Sequence, residues 1–185
     1  MDNIGKPDAL LWIDTETTGT DRENDRPLEI GMTCTSTDGA TTYGTLHRII
    51  RPHRLDLTAM SPTAFTMHTD NGLLHEIINA DPRDNGPEAA RNAIEEYIES
   101  LAGRFHLIPA GTNPDFDLAF LQRLGTDLHH LDYRKLDLTT LRLQRRFTGR
   151  PDPYADHHAT SHRTTDCIRR DIHEYRHTIQ KEANQ

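Results

Sequence analysis

The chain has 185 residues, of which 34% are hydrophobic, and a formal net charge of −8. That length and apolar content suit one core and exclude two, and the acidic balance argues against tight nonspecific binding of long duplexes. No apolar run is long enough to span a bilayer, no signal-peptide pattern opens the chain, and Cys34 and Cys167 form no disulfide framework, so a cytoplasmic protein without membrane contact is expected.

Ala9 to Asp14 is a short apolar run ending in an acid, the pattern of a buried strand with a polar exit. Leu28 to Thr35 and Thr41 to Ile50 read as two further strands, with Asp38-Gly39 as the hairpin signal between them. A helix is expected after Asn71, with Leu73, Leu74, Ile77 and Ile78 as its apolar stripe and Pro82 as its stop. Pro87 opens the next helix, whose stripe is Ala90, Ile94, Tyr97 and Leu101 and whose C-cap is Gly103. His106 to Thr112 is a fourth strand, and Asn113-Pro114 caps and starts a helix that ends at Gly125. Tyr133 to Leu136 is extended, before a helix to Phe147. The segment 149–161 is a loop, and a last helix runs from about Thr165 to Lys181 with Ile168, Ile172, Tyr175 and Ile179 on one face.

Three early strands followed by alternating helices and strands indicate an α/β mixed sheet covered by helices. One domain is expected over residues 1–185, ordered over about 8–180, with a frayed tail at 182–185. Of the twelve histidines, His47, His53, His75, His106, His129, His130, His173 and His177 sit among polar neighbours and are expected to face solvent.

Asp14 and Glu16 lie two apart at the end of the first strand, so both carboxylates point to one face. Such a pair repels itself unless a cation neutralises it, and hard oxygen ligands suit Mg²⁺ or Mn²⁺. Asp117 sits where the fourth strand gives way to a helix, and Asp166 at the start of the last helix. Helix-start charge accounts for either acid taken alone. His162 precedes Asp166 in a loop, and a histidine so placed suits a general base, the free imidazole titrating near working pH. His157 and His158 are its substitutes.

Asp-x-Glu on a first strand, Asn-x-x-Phe-Asp at a strand-to-helix junction and a His and Asp at a late helix start follow one another in this order. Together they resemble the DEDD superfamily of 3′–5′ exonucleases, over nearly the whole chain from Leu11 to about Tyr175. Pro27-Leu28-Glu29-Ile30-Gly31 fits the same pattern. The resemblance implies a ribonuclease H-like fold, a mixed five-stranded sheet flanked by helices. It implies two Mg²⁺ or Mn²⁺ ions on Asp14, Glu16, Asp117 and Asp166, with His162 as base, and release of nucleoside 5′-monophosphates. The family's histidine subgroup has one more residue between His and Asp than Arg163, Thr164 and Thr165 provide here. A shortened loop keeps Asp166 as ligand and is the register adopted; the alternative register puts Cys167 in the acid's place.

Met67 to Leu74 and Tyr133 to Leu141 are similar to stretches of oligoribonucleases. That similarity implies a short single-stranded RNA substrate and a homodimer in which Tyr133 reaches the partner subunit's site. Thr17, Thr18, His68, Asn113 and Tyr133 are the candidate substrate-binding residues. A helix cap explains His68 to Asn71 as well, and an edge aromatic explains Tyr133. Arg142, Arg145, Arg146 and Arg150 either guide phosphates or form a solvated face. Two alternatives stand beside this reading: an exodeoxyribonuclease of proofreading or repair type acting on DNA 3′ ends, to which Thr17 is suited, and an inactive relative that binds nucleic acid or a protein partner without cleavage.

Overall fold

A computed structural model describes residues 5–151 and 160–183 of the chain. The sheet has five strands: β1 (Asp8–Thr17), β2 (Pro27–Thr35), β3 (Thr42–Ile49), β4 (His106–Gly111) and β5 (Leu136–Asp137). Their order is β3-β2-β1-β4-β5. β1 is antiparallel to β2 and parallel to β4; β2 and β3 are antiparallel, β4 and β5 parallel. The sheet is therefore mixed, with β1 at its centre and buried on both faces.

Seven helices flank this sheet among the described residues: α1 (Pro62–Asp70), α2 (Leu73–Asn79), α3 (Pro82–Asn85), α4 (Pro87–Ala102), α5 (Pro114–Arg123), α6 (Leu138–Phe147) and α7 (Thr164–Ala183). Strand alternation divides β1 between two layers. Ala9, Leu11 and Ile13 pack with Ile94 and Ile98 of α4 and Leu118 and Leu121 of α5. Leu10 and Trp12 face the other way, onto Leu138 of α6 and Ile168 of α7. The Trp12 indole N–H donates to Thr35 Oγ1 at 2.9 Å, and its ring lies 5.5 Å from that of Tyr175. A third cluster, Leu28, Met60, Ala64, Leu73, Leu74 and Ile77, seats α1 and α2 beside β2. None of the helices is long and apolar enough to cross a membrane, among the described residues.

The Asp38-Gly39 turn joins β2 to β3 as expected, with Gly39 in the left-handed region at φ 68°. Pro87 opens α4, but its buried stripe runs through Ile98, with Tyr97 only partly covered. Its capping Gly103 keeps a right-handed φ of −59°. α1 is not visible in the apolar pattern. Ser61 caps it through its side chain and Pro62 opens it, while most of its residues are polar. The fifth strand is confined to Leu136–Asp137, and Asn113 precedes α5 in a left-handed conformation without a side-chain cap bond. His106 is not a solvent-facing histidine: its ring is held between Asp8 and Asp132 at 2.8 and 2.6 Å.

Candidate active site

The even-numbered face of β1 that carries Leu10 and Trp12 ends in Asp14 and Glu16, so both acids lie under α7. A register shift between Glu16 and Thr17 breaks the ladder there. Such a bulge re-aims the strand end. A carboxylate oxygen of Asp14, one of Glu16 and Cys167 Sγ lie within 4.8 Å of one another. Asp14 Oδ2 is shielded from solvent and has no hydrogen-bond partner. Burial, then the nearby Asp171 carboxylate, pushes Asp14 up to about 7 against the pull of Arg170. Burial, then Asp14, Glu29 and Asp117, pushes Glu16 up to about 9. The pocket concentrates negative charge that only protons or a cation can offset.

Asp117 arrives from the first turn of α5, on the other side of β1. Its Oδ1 accepts from the backbone N–H and the hydroxyl of Thr15, at 2.9 and 2.8 Å. Burial, then the charge of Asp14, holds this carboxyl well above the usual range. Asp117 is thus electrostatically part of the site but stands outside the Asp14, Glu16 and Cys167 group.

The structure departs from the expected set at Asp166. Its side chain is 37% exposed, accepts from the Ser161 hydroxyl and pairs with Arg169 at 2.6 Å. Ser161, then Arg169, pulls its pKa below the usual range in spite of some burial. The next residue, Cys167, turns inward in its place. On a helix, neighbours point about 100° apart, and the inward stripe of α7 is Thr164, Cys167, Ile168, Asp171, Glu174 and Thr178. Asp166 falls outside that stripe.

His162 is exposed and left-handed at φ 51°, and its backbone carbonyl and that of Ser161 accept from Asn71 Nδ2. It lines a cleft of about 840 Å³ together with Pro62, Thr66, Met67, Asn71 and Ser161. His157 and His158 lie outside the described residues. The segment bearing His162 is anchored by Arg163, which pairs with Glu29 at 2.7 Å and Glu76 at 2.8 Å.

The family is decided by comparison with known proteins. The RNase_T exonuclease profile matches residues 11–106. The oligoribonuclease of Coxiella burnetii is 34% identical over 139 residues, covering 74% of this chain and 73% of its own length. The chain belongs to the exonuclease family. An oligoribonuclease from Mycobacterium sp. strain KMS is 30% identical over 175 residues, covering 90% of this chain and 76% of its own. Among solved structures, a zinc-bound E. coli exonuclease I–ssDNA complex matches with a TM-score of 0.67 at 15% identity, covering 96% of this chain. That likeness shows the ribonuclease H-like fold, and the chain spans only 42% of the length of that structure. The protein is an oligoribonuclease-like 3′–5′ exonuclease of the DEDD superfamily, whose members are generally dependent on divalent metals.

The remaining candidate positions of this exonuclease divide between surface and core. Tyr133 is 76% exposed, with the Arg134 guanidinium over its ring at 4.3 Å. Asn113 is exposed, and its backbone N–H donates to Asp137. Thr17 is buried and donates to the Gly19 carbonyl; Thr18 donates to Asp25. His68 differs from expectation: it is fully buried, so its ring offers no surface to a substrate. Its Nε2 donates to the Thr17 carbonyl at 2.9 Å, bracing the turn after the acids. Arg142 is engaged by Glu174 and Thr112 rather than facing solvent.

Sequence reasoning missed Glu29, Arg163 and Asp171. Glu29 is buried directly opposite Glu16 in the strand pairing and is neutralised by His47, Arg163 and the Thr164 backbone N–H. An acid at an inward position of an otherwise apolar strand, two residues before Gly31, was the available signal. Asp171 lies one helical turn after Cys167, where the same inward phase predicts burial.

Proposed function

We propose that this chain is a metal-dependent exonuclease that removes nucleoside 5′-monophosphates from the 3′ ends of short single-stranded oligoribonucleotides. The carrying observation is the Asp14 and Glu16 pair beneath α7, with an unpartnered, shielded oxygen on Asp14. An orphaned carboxylate oxygen beside two more anion-forming groups fits a divalent cation.

Asp14 and Glu16 would hold that cation, with Asp117 alongside. When bound, it would lower the pKa of a water and offset charge developing on the scissile phosphate. His162, which lines the cleft beside α1, would take the proton of the attacking water. Asn71 and Arg163 fix the backbone on either side of its ring. Thr15 keeps Asp117 turned toward the strand end. The 3′ end enters past Pro62, Thr66 and Met67, where an apolar wall and hydroxyls suit a base and ribose. A site range of 1–185 as one exonuclease domain is consistent with these elements sharing one sheet.

The preference for short RNA is supported by the two oligoribonucleases at 34% and 30% identity and by the net charge of −8. The exposed Tyr133 would reach the site of a second copy of the chain in a homodimer, as the similarity to oligoribonucleases implies. The test is mononucleotide release from matched short and long RNA and DNA, labelled at the 5′ end, with Mg²⁺, Mn²⁺ or Zn²⁺. Stepwise shortening of short RNA from the 3′ end is expected. Equal turnover of DNA and RNA of every length would overturn the substrate assignment, and no turnover with any ion would overturn the activity.

A further inference from the structure

We propose that Cys167 is a direct metal ligand, and that Asp14, Glu16 and Cys167 form a mixed carboxylate–thiolate site selecting Zn²⁺ and similar borderline ions over Mg²⁺. This rests on the metal-dependent reading above and specifies which ion the site takes.

Cys167 Sγ and one oxygen from each of the two acids lie within 4.8 Å of one another. The cysteine is 5% exposed and Glu16 7%. The Cys167 thiol also meets the Thr160 hydroxyl at 3.4 Å, a weak contact that a metal bond outweighs. Two further observations point to a cation here. Asp14 Oδ2 is shielded and has no hydrogen-bond partner at normal distance, the Cys167 thiol being the group that supports its carboxyl. His68, fully buried, spends its Nε2 proton on the Thr17 carbonyl, so its Nδ1 carries a lone pair. That unpartnered Nδ1 faces Glu16 Oε2 at 4.0 Å. The two atoms lie across a gap too long for a hydrogen bond, and neither His68 nor Glu16 is exposed. A proton or a bound cation relieves that arrangement; another anion or an apolar group does not.

The donor types then choose the ion. Mg²⁺ takes six hard oxygens in near-ideal octahedral geometry and gains little from sulfur. Zn²⁺ accepts sulfur at about 2.3 Å and carboxylate oxygen at about 2.0–2.2 Å, with four ligands around it. Three protein donors plus a water satisfy it, and the open position is where a substrate oxygen enters. On binding, the S–H bond breaks, the sulfur–metal bond forms, and the proton leaves to solvent. Asp166, engaged by Ser161 and Arg169, does not supply the missing hard oxygen.

The experiment uses the full chain, stripped of metal, titrated with Co²⁺, Zn²⁺ and Mg²⁺ by absorption and calorimetry. Co²⁺ is expected to give a near-ultraviolet thiolate-to-metal charge-transfer band. The band should persist in Cys34→Ala and vanish in Cys167→Ser. Zn²⁺ should bind at least about 100-fold more tightly than Mg²⁺. In Cys167→Asp that preference should shrink about tenfold or more as Mg²⁺ binding improves. Circular dichroism checks that each variant folds. If Cys167→Ser fails to fold, the band in wild type and in Cys34→Ala still decides the matter. Binding of Co²⁺ without the band, or a band unchanged in Cys167→Ser, overturns the thiolate ligand while leaving the exonuclease reading intact. A band with no nucleotide release under any ion overturns the activity and leaves the metal site standing.

Discussion

Thr15 donates two hydrogen bonds to a single oxygen of Asp117, joining the central strand to the first turn of α5. Because Thr15 lies between Asp14 and Glu16, the same three-residue stretch positions acids on both sides of the sheet. Thr15→Val keeps the shape and the backbone bond but removes the hydroxyl. It is expected to lower stability by about 1–3 kcal/mol, since a buried carboxylate oxygen loses a donor. Nucleotide release should fall about tenfold. Urea denaturation and the release assay check this; a variant as stable and active as Thr15→Ser would show that the hydroxyl is idle.

Asp166 and Asp14 should separate cleanly. Asp14→Ala is expected to lose about a thousandfold or more in nucleotide release, as the cation site collapses. Asp166→Ala loses only an exposed pairing with Arg169 and Ser161 and is expected to stay within about threefold of wild type. Equal loss in the two variants would return Asp166 to the site.

Gly31 sets the distance between β2 and α7. A Cβ there would meet Thr164 Cβ and Oγ1 at 2.8 Å and Ile168 Cδ1 at 2.9 Å. Gly31→Ala should push α7 away from the sheet, costing about 1–3 kcal/mol, and carry Cys167 away from Asp14 with it. Thermal melts and the Co²⁺ band read the two effects separately. An unchanged melting temperature would show that the helix is free to shift.

Acid stability should depend on Glu29. Burial alone would raise its pKa, but hydrogen bonds from His47, Arg163 and the Thr164 backbone N–H outweigh it and hold the carboxyl at about 2, below its ordinary 4.5. A carboxyl depressed on folding adds stability that is complete above pH 4.5 and is lost as the pH falls through 2. The shift corresponds to about 3 kcal/mol. Glu29→Gln should therefore flatten the stability curve between pH 4.5 and 2 and lower the plateau above it. Denaturation midpoints across that range test it; identical curves for the two proteins would remove Glu29 from the acid response.

If Tyr133 serves the partner's site, two inactive proteins should rescue each other. Mixing Tyr133→Ala with Asp14→Ala creates mixed dimers holding one complete site. Recovery of about a quarter of wild-type release is expected from random pairing of subunits. No recovery after subunit exchange would confine Tyr133 to its own chain.

Much of the fold was legible because burial writes itself into periodicity. The apolar run of β1 and the Pro87 helix both stood out in the chain, and Asp14 and Glu16 followed from strand alternation. α1 was hidden because only Ala64 and His68 of its residues are buried, and β5 because a two-residue strand carries no period. At the last acid, residue type points to Asp166, whereas helical phase turns its side chain outward. Asp166 lies two positions before Ile168, about 200° around the helix, whereas Cys167 adjoins the apolar stripe. Glu29 and Arg163 were invisible because their partner lies far along the chain and only folding brings it near.

The alternation of β1 also limits how this enzyme can change. Inserting or deleting one residue between Leu10 and Asp14 would swap the strand's faces beyond that point. Both acids would then turn into the aliphatic layer beneath α4, and Thr15 would no longer meet Asp117. Loops around the cleft can grow or shrink without that penalty, so variation in substrate choice has room at the rim, while the interval from Trp12 to Glu16 is fixed by counting.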